Sequence, residues 1–309
     1  MVVVPKPGNQ VRICGDFVQL NKAVLREVYP MPTTEETLAK LSGANFVTKL
    51  DANAGFWQKS LSEESKLLTT FITPWGRFCY KRLPFGISSA PEHFQKCIRN
   101  ILEGLDGVVN QVDDILVYAE TEEMLDHRVM ATLERLQSAN VTLNPKKCKF
   151  SQTQVQFLGH LVGRDGIQAD PEKVEAIMKM PEPANVSDLR RFLGMVNQMS
   201  KFLPSLAELS APLRNLLSTK NVWLWDLPQQ EAFERIKQAL VKAPALGIYD
   251  AAKESTISAD ASSHGLGAVL KQKQLNGEWK PVSYISRSLT ETEKICSSGE
   301  RGSRHYLGM

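Results

Sequence analysis

Strand-forming residues crowd Phe46-Val47-Thr48-Lys49-Leu50-Asp51 before Asn53-Ala54-Gly55 breaks the run, which predicts a strand ending at or near Asp51. The period lengthens after Pro91, a good first helical residue. Phe94, Cys97, Ile98, Ile101, Leu102 and Leu105 recur at helical spacing until Gly107 and predict a helix with one core-facing stripe. Val108-Val109-Asn110 and Ile115-Leu116-Val117-Tyr118 read as two short strands joined through Asp113-Asp114, so the acidic pair is expected on a tight hairpin turn at a sheet end. Thr121 is placed to cap a helix carrying Leu125, Val129, Leu133 and Leu136, with Glu122 and Glu123 facing its N-terminal dipole. Beyond the Asn144-Pro145 turn, a basic cluster of Lys146, Lys147 and Lys149 leads into a second hairpin over 155–162. From Asp170-Pro171 to about Tyr249 the pattern is helical, with Ser187 as the expected cap before Leu189, Phe192, Leu193, Val196 and Met199. Strands over 256–260, 265–270 and 279–285 then open a β-rich unit.

Composition narrows the class. A chain of 309 residues, 42% hydrophobic and 23% charged, buries a sizeable core and is long enough for two or three domains. No apolar run reaches the roughly 18 residues of a membrane span, and the N-terminus lacks a basic region followed by a signal core, so the expectation is an intracellular protein of cytoplasm or nucleus, neither secreted nor membrane-bound. Five scattered cysteines contain no Cys-x-x-Cys pair and signal neither a disulfide framework nor a zinc site. The sequons at Asn140 and Asn185 carry no weight without a secretory signal. A formal net charge of +3 permits a polyanionic partner without demanding one.

The carboxylates carry the chemistry. Asp51 and the Asp113-Asp114 turn sit at two strand ends, and they become neighbours if those strands are adjacent in one sheet. Three converging carboxylates repel one another unless cations neutralise them, and an all-oxygen site suits Mg²⁺ or Mn²⁺. Two such ions, about 3.5 to 4 Å apart, activate an attacking hydroxyl and stabilise a leaving phosphate oxygen. The competing reading of an isolated Asp-Asp pair is a solvated turn.

Five stretches, in order, decide between them. Arg12-Ile13-Cys14-Gly15-Asp16-Phe17-Val18-Gln19-Leu20-Asn21, Lys49-Leu50-Asp51 through Gln58, Leu83-Pro84-Phe85-Gly86-Ile87-Ser88-Ser89-Ala90-Pro91, Val112-Asp113-Asp114-Ile115-Leu116-Val117 and Phe157-Leu158-Gly159-His160 resemble the reverse transcriptase of gypsy-type long-terminal-repeat retrotransposons. The resemblance runs from about residue 4 to residue 294. It implies an α+β, palm-type polymerase with fingers and palm over 1–165, a helical thumb or connection over 166–250, and an incomplete α/β ribonuclease H-like unit over 251–309.

By the same resemblance, Asp51, Asp113 and Asp114 form the catalytic, metal-binding cluster for two Mg²⁺ (or Mn²⁺) ions. A primer 3′-hydroxyl would attack the α-phosphate of an incoming dNTP on an RNA or DNA template. Lys6 and Arg12 match the finger residues that hold the triphosphate, and Phe56 matches the aromatic gate against a ribose 2′-hydroxyl. Phe85 and Gly86 match the segment beneath nucleotide and template, with Phe85 equally readable as core. Lys147 or Lys149 stands for the palm lysine near the leaving phosphate, although the cluster also reads as a solvated face. Phe157, Leu158, Gly159 and His160 match the primer grip, against a structural role for its apolar residues. Asp260 matches the first ribonuclease H carboxylate.

Three departures qualify the resemblance. Gln111 stands where the family often has tyrosine, the front of the fingers is expected to be missing, and the pattern stops after Lys294. One coding string for Ile295 to Met309, shifted by one nucleotide, reads Tyr-Ala-Gln-Val-Glu-Lys-Glu-Ala-Leu-Gly-Ile-Thr-Trp-Ala, which resembles the family's next segment and its second catalytic glutamate. A frameshifted tail and absent ribonuclease H activity are therefore expected. The leading functional expectation is an RNA-directed DNA polymerase truncated at both ends. Against it stand a catalytically inactive retroelement remnant that at most binds nucleic acid, and a metal-dependent phosphatase or nuclease, which would not explain the motif order. Sequencing the gene tests the frameshift: codons for 295–309 whose shifted frame yields no acidic, helix-forming segment would remove it.

Overall fold

An antiparallel hairpin, β1 (Val2–Lys6) and β2 (Gln10–Cys14), opens the computed structural model, which describes residues 2–6, 10–218, 221–262, 265–274, 276–290 and 293. The chain divides into two compact units, Met1–Val155 and Gln156–Met309. In the first, α1 (Val18–Asn21) and α2 (Thr34–Ala39) precede β3 (Phe46–Asp51). A 3₁₀ turn at Gly55–Gln58, α3 (Glu63–Leu68), the β4 (Phe71–Thr73) and β5 (Gly76–Phe78) hairpin and α4 (Ala90–Ile101) follow. Then come β6 (Val108–Gln111), β7 (Asp114–Ala119), α5 (Glu122–Ser138) and β8 (Lys149–Gln152).

Four of these strands form one sheet in the order β6-β7-β3-β8. Ile115, Val117 and Ala119, at alternate positions of β7, join Leu50 in a core with Phe94 and Ile98 of α4, Leu102 at its C-cap, and Leu125, Val129 and Leu136 of α5; the helix ends at Ile101, short of the Gly107 that the pattern predicts. Leu116 and Val47, of the opposite parity, are buried as well. β7 therefore reads as a nearly continuous apolar run after Asp114. β8 escapes the sequence pattern for a physical reason: it is a largely exposed edge strand, where lysines are tolerated and no apolar alternation is required.

In the second unit, β9 (Gln154–Phe157, which starts at the boundary), β10 (His160–Gly163) and β11 (Gly166–Ala169) form a three-stranded sheet. Helices α6 (Pro171–Met178), α7 (Val186–Asn197), α8 (Leu206–Leu209), α9 (Ala211–Asn215) and α10 (Leu227–Val241) follow. Phe192 and Phe233 pack with ring centroids 4.6 Å apart between α7 and α10. The cap expected at Ser187 is instead Asn185, whose Oδ1 accepts the Asp188 N–H at 2.9 Å, because the helix begins at Val186 and Ser187 already lies in its first turn. Three antiparallel strands, β12 (Ser255–Ala261), β13 (Gly265–Lys273) and β14 (Trp279–Ser288), complete the described elements. Beyond them, Glu293 accepts the Thr290 N–H at 2.8 Å and Thr290 Oγ1 accepts the Glu293 N–H at 3.4 Å, the reciprocal bonds of a helix start. The tail of the expected frameshift, 295–309, lies outside the described residues.

His160 is only 7% exposed and packs edge-on against Phe202, with ring centroids 5.6 Å apart. Its Nδ1 is buried with no hydrogen-bond partner among the described residues. Burial first, then the positive charges of Lys201 and Lys173, push its pKa down to about 4 against the opposing pull of Asp170. As pH falls, the unfolded chain takes up this proton before the folded one does. His160 therefore stabilises the fold fully above pH 6.5, its ordinary value, and that contribution is lost as pH falls toward 4, by up to about 3 kcal/mol. Chemical denaturation between pH 7 and pH 4 should show a steeper loss for the wild type than for His160→Phe; identical slopes would contradict the assignment.

Candidate catalytic carboxylate site

The β3–β7 pairing places Asp51 directly opposite Asp114. The sequence pattern puts both Asp113 and Asp114 on the turn, but the loop residues are Val112 and Asp113; Asp114 already belongs to β7 and pairs with Gln111. The corner is anchored to the neighbouring strand, since the Ala52 N–H donates to the Asp113 carbonyl at 2.9 Å. All three aspartates thus come from one end of the sheet.

Each carboxylate has a distinct environment. Lys147 Nζ lies 3.2 Å from Asp51 Oδ2, and Lys49 Nζ lies 3.0 Å from Asp114 Oδ2. Asp113 Oδ1 is packed over Gly55, where a Cβ would come within 2.2 Å of it and 2.9 Å of the Phe94 ring. Only glycine leaves that carboxylate its place. Among the described residues no three acidic, histidine or cysteine side chains close into a metal cage. The donor chemistry nevertheless fits a hard divalent cation, because the set is all carboxylate and the charges of Asp51 and Asp114 are met here by ammonium groups. With a side chain 64% exposed, Lys147 is held weakly and can leave.

Phe56 and Phe85, two of the residues expected to act, lie beside this end. Phe56 is buried against Phe85 and Phe94, at centroid distances of 5.1 and 5.7 Å, and Phe85 also meets Trp57 at 5.9 Å. Gly86 has φ of 104°, and a Cβ there would sit 3.2 Å from the Gly15 carbonyl oxygen. Its own carbonyl accepts from Asn21 Nδ2 at 2.8 Å, while Asn21 Oδ1 accepts the Ser88 N–H at 2.9 Å. Lys147, not Lys149, reaches an aspartate; Lys149 is an exposed residue of β8. Arg12 pairs with Val4 and Lys6 with Gln10 along the opening hairpin.

Gln111, the departure from the family pattern, spans to the α2 region: its Nε2 donates to the Pro32 carbonyl and its Oε1 accepts from Thr37 Oγ1, both at 3.4 Å. In the second unit, the Leu158-Gly159 corner has positive φ at both residues, 50° and 74°, and joins β9 to β10. Phe157 and His160 on either side of it are buried, so the two corner residues alone are partly accessible. Asp260 is exposed on β12, with Oδ1 accepting the Ala261 N–H at 2.8 Å.

Comparison with known proteins settles the family. Residues 4–162 match the family described as "Reverse transcriptase (RNA-dependent DNA polymerase)", a match that contains all three aspartates. The chain belongs to the reverse transcriptase family. Residues 225–303 match a second family, "RNase H-like domain found in reverse transcriptase", and that match runs past Lys294, where the motif resemblance ends. The Transposon Tf2-3 polyprotein of Schizosaccharomyces pombe is 36% identical over 99% of this chain, which spans 24% of that polyprotein; the gypsy-type resemblance fits it. The foamy viral protease-reverse transcriptase solved with double-stranded DNA superposes with a TM-score of 0.89 at 25% identity, over 99% of this chain and 54% of its own. The same viral protein with an RNA/DNA hybrid gives 0.85 at 24% identity, over 99% and 42%. The fold is the palm-type reverse transcriptase fold with a ribonuclease H-like unit after it.

Sequence reasoning missed Gly55, Lys49, Asn21 and Gln95. Gln95, 1% exposed, carried a visible signal: an amide set between Phe94 and Ile98, two members of the helix's apolar stripe.

Proposed function

We propose that this chain is the polymerase portion of a retrotransposon Pol polyprotein, an RNA-directed DNA polymerase that extends a nucleic-acid primer with dNTPs on an RNA or DNA template. The observation that carries the reading is the Asp51–Asp114 register pair with Asp113 in the adjoining corner. The family match and the DNA and RNA/DNA hybrid held by the foamy viral relatives support it.

In this reaction the primer 3′-oxygen forms a bond to the α-phosphorus of the dNTP, the bond to pyrophosphate breaks, and the hydroxyl proton is lost. Two Mg²⁺ or Mn²⁺ ions, when bound, supply Lewis-acid activation of the hydroxyl and charge neutralisation on the leaving group. Asp51, Asp113 and Asp114 are the residues that would hold them. Lys147 compensates Asp51 in their absence and is long enough to turn toward a polyphosphate once that charge is met otherwise. Lys6 and Arg12 would grip the triphosphate, and Phe85 and Gly86 would floor the nucleotide site. Phe56 would exclude the ribose 2′-hydroxyl, its ring fixed by Phe85 and Phe94. Leu158 and Gly159 would meet the primer. Fingers and palm over 1–165, thumb over 166–250 and the ribonuclease H-like unit over 251–309 complete the reading.

Primer extension on an RNA template with Mg²⁺ tests the proposal. Asp113→Asn should lower incorporation by about 100-fold or more while leaving the fold intact, since it removes a charged oxygen without changing shape. Equal incorporation by both proteins, or none by either, would refute an active polymerase.

A further inference from the structure

The Val112-Asp113 corner contains a strained residue. Val112 has φ of 52°, whereas Asp113 is not among the positive-φ residues, and positive φ at the first of two loop residues is the type II′ pattern that glycine ordinarily occupies. A β-branched side chain in the left-handed region is a genuine outlier and persists only where its surroundings impose it. The imposing group is on α4. Gln95 Oε1 accepts the Val112 N–H at 2.6 Å, and Gln95 Nε2 donates to the Asn110 carbonyl at 3.1 Å. One amide therefore straddles Gln111 and bonds the backbone on both sides of it. The two bonds are complementary, so they also fix which end of the amide is oxygen.

We propose that Gln95 is a positioning residue for the polymerase reaction: it holds Val112 at positive φ and thereby sets the direction in which the Asp113 carboxylate leaves the backbone. The inference rests on the proposed function for its catalytic consequence, though not for its geometry. Three contacts converge on this corner, and Gln95 supplies its inner support. The Ala52 N–H holds the Asp113 carbonyl from β3, and Gly55 leaves room for the Asp113 side chain. Buried at 1% exposure, Gln95 has no water to replace either bond. Neither Met, which lacks both groups, nor an ionised Glu, which lacks the donor, can do the same.

Two measurements on the intact chain test this. In the wild type, the Val112 amide should exchange with solvent at least about 10-fold more slowly than an exposed loop amide, as observed by NMR. In primer extension, Gln95→Met should lower the single-nucleotide incorporation rate at least about 10-fold, while dNTP KM and primer-template Kd stay within about 2-fold. Adding Val112→Gly should restore the rate to within about 3-fold of wild type, because glycine adopts positive φ without support. A role in general stability would not be relieved by that second change. Free exchange of the Val112 amide, an unimpaired Gln95→Met protein, or no recovery in a folded double variant would each overturn the proposal. If Gln95→Met does not fold, the wild-type exchange rate decides. If the wild type does not extend primers, the polymerase reading falls, and slow exchange at Val112 still upholds the clamp.

Discussion

Asp51 meets the Asp113-Asp114 corner only because β3 and β7 pair in one antiparallel register, and everything the site can do follows from that constraint. A slip by one residue would send Leu50, Ile115 and Val117 to the wrong face of the sheet and separate the carboxylates together with them. The apolar flanks around the acidic pair are therefore its positioning device. Helices α4 and α5 cover the sheet face that fixes the register, and α4 also supplies the amide that reaches the corner.

Gathering three carboxylates at one sheet end carries an electrostatic penalty, and the chain meets it locally. Lys49 is only 19% exposed in its side chain and stays against Asp114 from the same sheet, whereas Lys147 reaches Asp51 from the mobile-length end of a largely exposed side chain. An exposed ion pair of the second kind contributes about 0–1 kcal/mol. It is well suited to giving way to a more highly charged cation. Gly55 and Val112 express the opposite tendency: Val112 accepts a local conformational cost at the corner, and Gly55 leaves out the side chain that would occupy the place of the Asp113 carboxylate.

Much of this was legible beforehand. The strand ending at Asp51, the start of α4 and its stripe through Ile101, the Thr121 cap and the three late strands follow directly from periodicity and capping chemistry, and the structure has them at those places. The sheet pairing was not legible from either strand alone; the ordered motifs supplied it through resemblance. β8 stayed hidden because an exposed edge needs no apolar code, and Asn185 because its role depends on where the first helical turn begins. The resemblance offers His160 as part of the primer grip, whereas its burial arises from the core of a unit built by distant residues such as Phe202. Gln95 and Gly55 matter through contacts across the fold, which no local pattern announces.

The central claim is that the three aspartates jointly hold divalent cations at this sheet end. Diffraction at the manganese absorption edge, from crystals grown with primer-template, a dNTP and Mn²⁺, tests it most directly. The account predicts two anomalous peaks between the carboxylates of Asp51 and Asp113, with Lys147 moved away from Asp51. Manganese bound elsewhere, or no peak within coordinating distance of these carboxylates, would contradict it.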